Sequence, residues 1–182
     1  MATLKDDRKL WLFGEEAQNK IAEGIKKGVD VVAFTLGPAG SNVLIERKFR
    51  TPIVVDDGIT ALQNLILEDE LENLGITSLI DAANKTSEYV GDGTSTTVVL
   101  TEAIYKAGRK LVGDGVLAFG KTPLEIKNAI FSARDIVLEK LKELSKKIQS
   151  KEDIKAVALA AYADEKMADI VSDLIDKVGE NG

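Results

Sequence analysis

The sequence predicts a mainly α-helical bundle with one small β-hairpin, followed by a short helical segment. Three observations carry that prediction. Apolar residues recur at helical spacing through most of the chain, several helix starts carry recognisable caps, and only two runs are β-prone. Each element follows from its own residues.

Residues 10–13 (Leu10, Trp11, Leu12, Phe13) form a brief apolar run stopped by Gly14, suited to a short strand or a docking segment. Ala17, Ile21, Ile25 and Val29 then recur every four residues with charged residues between them, which predicts an amphipathic helix over 15–34. Gly24 and Gly28 weaken it by roughly 1 kcal/mol each relative to Ala, yet at this spacing they can admit a neighbouring helix closely. Gly37-Pro38 ends the helix, because proline disfavours the helical conformation in the residue before it. Residues 42–46 and 52–56 are the β-prone runs, and the charged stretch between them reads as a hairpin connection. Strand alternation would turn Asp57 to the side of Ile53 and Val55, and Asp56 to the opposite side with Val54.

A short helix is expected from Gly58 to about Asn64. A longer one follows over about 69–86, directing Leu71, Leu74, Ser78, Leu79 and Ala82 or Ala83 inward. Another runs over about 94–112, with Val98, Thr101, Tyr105 and Val112 on its buried side, and Gly113-Asp114-Gly115 marks its end. Thr122-Pro123-Leu124-Glu125 is a helix start in which Thr caps, Pro takes the first position and Glu reaches back. That helix should extend to about 147, with Ile130, Val137, Leu141 and Leu144 as its apolar stripe. Ser150 and Asp164 cap helices over 151–162 and 165–178, the last buried through Met167, Ile170, Val171, Leu174, Ile175 and Val178. Core content falls after Leu144, so the expected division is residues 1–144 and 145–182.

Composition narrows the function classes. With 24 Lys and Arg against 30 Asp and Glu, the net charge of −6 gives no electrostatic support to a nucleic-acid role. Cysteine and histidine are both absent, which removes disulfides, thiolate metal sites and the usual general base. Acid–base work would fall to carboxylates, Lys or Tyr. No apolar signal core or bilayer-length run is present, so no membrane role is expected and the reading is a soluble cytoplasmic protein.

The chemistry-bearing stretch is Gly91-Asp92-Gly93-Thr94-Ser95-Thr96-Thr97. Two glycines around an aspartate permit a sharp turn and close ligand approach, and four hydroxyl residues then open a helix whose first turn has free N–H groups. A phosphate there meets those N–H groups and the positive end of the helix dipole. Asp92 would repel a bare phosphate, which points to a hard cation such as Mg²⁺ between carboxylate and phosphate. Read alone, Asp92 and Thr94 could equally be helix caps, Gly37 a helix stop, and Asp57 the cap of the following helix.

Taken together and in order, Thr35-Leu36-Gly37-Pro38-Ala39-Gly40, residues 52–58 ending in Asp56-Asp57-Gly58, residues 67–75 and residues 91–97 resemble the N-terminal part of a group I chaperonin subunit. The resemblance covers nearly all of the chain. It implies an equatorial-domain-like helical bundle over 1–144 and a first intermediate-domain segment over 145–182, with the apical domain absent. It further implies ATP held by the main chain of Thr35, Leu36, Gly37 and Pro38, Mg²⁺ on Asp92, and phosphates on Gly93, Thr94, Ser95 and Thr96. Asp57 is the implied catalytic carboxylate, orienting the attacking water together with a second aspartate from later in the family's chain. Phosphoryl transfer asks mainly for positioning of this kind. Ser95 stands where the family usually has Thr. Asp56 and Ala39 stand where it commonly has Lys, and Asp56 retains a backbone carbonyl that could meet a monovalent cation such as K⁺.

The implied activity is that of an ATP-hydrolysing, protein-folding chaperonin of the isomerase class. ATP binding brings the helices after Leu144 down over the nucleotide, and hydrolysis times encapsulation of unfolded protein in a homo-oligomeric ring. Partners would be other chaperonin subunits, and, through an apical domain, co-chaperonin and unfolded proteins. With half a pocket and no second aspartate, the 182-residue chain is expected to be catalytically incomplete. The alternatives are a non-hydrolysing truncated module that docks on chaperonin subunits and a small standalone ATPase.

Overall fold

The computed structural model describes residues 11–47, 49–112 and 122–179. Among them are seven helices and one antiparallel hairpin: α1 (Gly14–Thr35), β1 (Val43–Ile45), β2 (Ile53–Val55), α2 (Gly58–Gln63), α3 (Asn73–Val90), α4 (Thr94–Val112), α5 (Pro123–Leu144), α6 (Lys151–Ala161) and α7 (Glu165–Val178). The mainly α fold class is therefore correct, and six of the seven helices start within one residue of the expected position. The chain divides into two compact units, Met1–Ala129 and Ile130–Gly182, with the division falling inside α5.

In the first unit α1, α2, α3 and α4 pack around Ile25, Val29, Val32, Leu62, Ile76, Leu79, Ala83 and Val98. The close approach of α1 to α3 depends on glycine. A Cβ on Gly24 would lie 1.9 Å from the Glu72 carbonyl oxygen, and one on Gly75 would lie 2.5 Å from the Ile21 carbonyl oxygen. Lys20 and Lys27 flank Gly24 on the same face and both pair with the buried Glu72, while Lys20 also pairs with Asp69. Backbone contact and ion pairs thus fix one α1–α3 register.

That contact also corrects the expected inner face of α3. Gly75, Ile76, Leu79 and Ala83 are buried, whereas Leu74 and Ser78 are exposed. The helix starts at Asn73 rather than near Asp69 because Asp69 Oδ1 accepts the N–H groups of Leu71 and Glu72, closing a turn instead. At the other end Gly91, left-handed at φ 79°, caps α3 after Val90.

The hairpin pairs Val43 with Val55, Leu44 with Val54 and Ile45 with Ile53. Ile53 and Val55 are half-buried and Val54 is exposed, the expected alternation. The strand stops at Val55, however, so Asp56 and Asp57 lie in the connection to α2 and the strand period does not set their directions. Residues 11–13, suited to a short strand or a docking segment, form no strand: Trp11 is 75% exposed and stacks on Phe13 at 6.4 Å.

α5 begins with the expected capping box: Glu125 Oε2 accepts the Thr122 N–H at 2.8 Å, and Thr122 Oγ accepts the Glu125 N–H at 3.2 Å. It ends at Leu144, not 147, and its expected stripe is largely uncovered: Val137, Leu141 and Leu144 are exposed, while Ile126 is buried. The expected turn at 113–115 lies outside the described residues.

In the second unit Ser150 and Asp164 cap α6 and α7 as expected. The two helices pack together, and Lys151–Asp173 and Lys155–Asp169 pair across them. The expected burial of α7 is wrong. Met167, Ile170, Val171, Leu174, Ile175 and Val178 are all exposed, and the buried positions are Ala168 and Ser172. One neighbouring helix covers a single narrow stripe, and small residues four apart let it come close.

Candidate functional site

The Thr35–Pro38 segment is the end of α1 folded back on itself. Leu36 leaves the helix in an extended conformation, its N–H still bonded to the Ala33 carbonyl, and Gly37 takes φ 81°. Gly40 donates to the Gly37 carbonyl and Ser41 to that of Phe34, both at 2.9 Å. Thr35 Oγ donates to the Val32 carbonyl at 2.9 Å. Leu36, Gly37 and Pro38 are exposed.

Asp57 is the N-cap of α2. Its Oδ2 accepts both the Thr60 N–H at 3.0 Å and the Thr60 hydroxyl at 2.6 Å, and Oδ1 accepts the Ile59 N–H at 3.2 Å. Partial burial pushes the carboxyl upward, but the Thr60 hydroxyl and the two backbone donors outweigh it and hold it below its ordinary value. Asp56, beside it, is exposed.

The third part is the start of α4. Gly91 and Gly93, both at φ 79°, bracket Asp92, whose Oδ1 accepts the Gly93 N–H at 2.6 Å. The first helical bond runs from the Thr97 N–H to the Gly93 carbonyl. The N–H groups of Thr94, Ser95 and Thr96 have no acceptor among the described residues, and Thr97 turns its hydroxyl inward to that of Thr86 at 3.0 Å. Three free donors at a helix start, beside two glycines with nothing within 4 Å of their Cβ positions, suit a phosphate.

The fold brings these parts to one end of the first unit. Tyr105 near the end of α4 donates to the Gln18 carbonyl near the start of α1, and Arg109 donates to Asn19 Oδ1 at 2.6 Å, while Val98 near the start of α4 shares the core with Val32 near the end of α1, so the two helices run antiparallel. Counting equal numbers of residues from the Asn19–Arg109 contact reaches Thr35 on α1 and Gly93 on α4. Val32 and Val98, one turn in from those ends, are both fully buried in the shared core. Asp57 joins them through Gly58, whose Cβ position is 2.7 Å from Thr35 Oγ and 3.0 Å from Val32 Cγ1. Among the described residues no three Asp or Glu side chains form a metal cluster. Mg²⁺ does not require one, since it commonly binds through one or two carboxylates, substrate phosphates and water.

Two residues outside the predicted set shape this end: Gly58, which admits α2 against α1, and Thr60, which holds the Asp57 carboxylate. Their signal in the sequence is the order Asp57-Gly58-Ile59-Thr60, an acidic cap with a hydroxyl at its third residue. No helix among the described residues is long and apolar enough to cross a membrane.

Residues 29–181 match the TCP-1/cpn60 chaperonin family. Among solved structures, the chaperonin gp146 from the bacteriophage EL 2 (Pseudomonas aeruginosa), crystallised in the presence of ATP-BeFx, superposes with a TM-score of 0.76 at 27% identity, covering 94% of this chain and 30% of that one. A group III chaperonin in the open state superposes with a TM-score of 0.71 at 25% identity, covering 91% and 32%. The chain thus spans about a third of the length of the chaperonins it matches, and its helical bundle with one hairpin is the chaperonin equatorial-type fold. With the profile match and two chaperonin structures following nearly the whole backbone, the chain belongs to the TCP-1/cpn60 chaperonin family.

Proposed function

We propose that this chain forms one side of the nucleotide pocket of an ATP-dependent, group I type chaperonin, and that its ATP cycle operates in a ring of subunits that enclose and refold unfolded protein. The observation that supports this reading is the approach of Gly58, next to Asp57, to Thr35 at the end of α1, with Val32 of that end and Val98 near the start of α4 in one buried core. Leu36, Gly37 and Pro38 offer exposed main chain to the nucleotide, Thr94, Ser95 and Thr96 donate to its phosphates, and Gly93 joins them when its N–H leaves Asp92 Oδ1. Asp92 holds Mg²⁺, which neutralises phosphate charge when bound. Asp57 orients water near the terminal phosphate, and the Asp56 carbonyl is available to K⁺. The relative crystallised with ATP-BeFx supports nucleotide chemistry in this fold.

Because the matched chaperonins are about three times as long, hydrolysis, the isomerase-class folding activity, the homo-oligomeric cytoplasmic ring and the contacts with co-chaperonin and unfolded proteins are proposed for the complete subunit. A second reading, a non-hydrolysing module that docks on chaperonin subunits, is favoured by the exposed Ile170 and Leu174. Titration calorimetry with Mg-ATP on the 182-residue chain and on Asp92→Ala tests the first reading. Micromolar binding that disappears in the variant is expected. No binding to a chain that circular dichroism shows to be folded would overturn a preformed site and leave the docking reading.

A further inference from the structure

The carboxylate of Asp57 is held unsymmetrically. Oδ2 takes two donors, both from Thr60, and the hydroxyl bond at 2.6 Å is the shortest of the three bonds to this carboxylate. A carboxylate oxygen has about two acceptor positions, so Oδ2 is saturated. Oδ1 takes only the Ile59 N–H, at 3.2 Å, and keeps an open position. An N-cap needs one side-chain oxygen and the N–H groups of the first turn. The Thr60 hydroxyl is thus additional to capping: it gives Oδ2 a second donor and leaves Oδ1 as the oxygen with an open position.

We infer that Thr60 is a positioning residue for the nucleotide site, locking Oδ2 of Asp57 so that Oδ1 alone faces water at the terminal phosphate. The inference rests on the nucleotide reading above. Its physical basis is that the Thr60 hydroxyl neutralises part of the charge on Oδ2 and keeps that oxygen turned toward α2. Without it Oδ2 keeps only the Thr60 N–H and presents a less neutralised oxygen to the additional phosphate that distinguishes ATP from ADP. The lowered pKa of Asp57, to which the Thr60 hydroxyl contributes, fits an ionised carboxylate in this role.

The test is the ratio of Mg-ATP to Mg-ADP affinity, measured by calorimetry on the full chain for wild type, Thr60→Val, Thr60→Ser, Asp57→Asn and the Asp57→Asn/Thr60→Val double variant, with thermal unfolding in parallel. Thr60→Val keeps shape and both backbone donors, so the chain stays folded. The expected result is a fall of about threefold in ATP preference in Thr60→Val, recovery in Thr60→Ser, and no further change when Thr60→Val is added to Asp57→Asn, as a pair acting through one contact requires. A merely structural threonine would lower the melting temperature and leave the ratio unmoved, which would overturn the inference, as would an equal change in the Asp57→Asn background. If wild type binds neither nucleotide, the nucleotide reading itself fails and the inference falls with it.

Discussion

Gly58 and Thr35 touch at a distance that leaves no room for a side chain: a Cβ on Gly58 would lie 2.7 Å from Thr35 Oγ. Val32 Cα, at 3.1 Å from the same point, is backbone and cannot step aside. Gly58→Ala should therefore push α2 off α1 and carry Asp57 away from the Thr35–Pro38 turn. We expect a loss of about 1–3 kcal/mol in urea unfolding, the usual range for overpacking, together with weaker Mg-ATP binding. Unchanged affinity in a folded Gly58→Ala chain would show that the spacing of these two motifs is not needed for nucleotide.

The glycines of α1 and α4 should behave in opposite ways. At Gly24 the obstacle is the Glu72 backbone, with the carbonyl oxygen 1.9 Å away, so Gly24→Ala must separate α1 from α3 and should cost about 3 kcal/mol or more. Gly108 has nothing within 4 Å of its Cβ position, so Gly108→Ala should gain up to about 1 kcal/mol from helix propensity alone. Denaturant midpoints for the two variants check both signs at once.

Local chemistry is what the sequence makes legible here. Caps at Thr122, Ser150 and Asp164, the proline stop after Gly37 and the β-prone runs at 42–46 and 52–56 depend on neighbours in the chain; the caps and the stop appear where the residues indicate, and the strands form inside the two runs, at Val43–Ile45 and Ile53–Val55. The same holds for the site: Gly91, Gly93 and the hydroxyl run at 94–97 form the turn and helix start that their types predict. Burial is harder to read because it depends on which helix comes to lie alongside. Leu74 faces solvent since Gly75 is drawn against Ile21 and Gly24, and the apolar residues of α7 face out since α6 covers only Ala168 and Ser172. The strand period gives Asp57 one direction, yet its cap bonds to Ile59 and Thr60 set the direction it takes.

Acid stability should register the cap of α2. Asp57 has a lowered pKa in the fold, partial burial being outweighed by the Thr60 and Ile59 donors, so its contribution is complete above the ordinary carboxylate value and is lost as pH falls through the lowered one. Asp69, Asp153 and Asp173 are lowered too, by Lys20, by the Gln149 N–H and by Lys151 respectively, and add to the same acid limb. The comparison with Asp57→Asn isolates one of them, because Asn caps a helix about as well but does not titrate. Between about pH 5 and pH 2.5 the urea midpoint of wild type should fall more steeply than that of the variant. Parallel curves would mean that the cap does not favour the ionised form.

Ile170 and Leu174 lie one helical turn apart on α7 and are 59% and 57% exposed. Removing apolar side chains that are already in water costs little, within about 0.5 kcal/mol each, and glutamine is a good helix former. The Ile170→Gln/Leu174→Gln chain should thus keep the hydrogen-exchange protection of the α6 and α7 amides while binding less anilinonaphthalene sulfonate and scattering less light at high concentration, since a contiguous exposed apolar face favours association. Ala168, 2% exposed at the α6–α7 seam, predicts the reverse. Ala168→Leu forces the helices apart at a cost of about 1–3 kcal/mol and should speed exchange in both. If the double glutamine variant loses protection as well, the two positions are covered in solution by contacts that hold α7 in place, and the surface is an interface already in use.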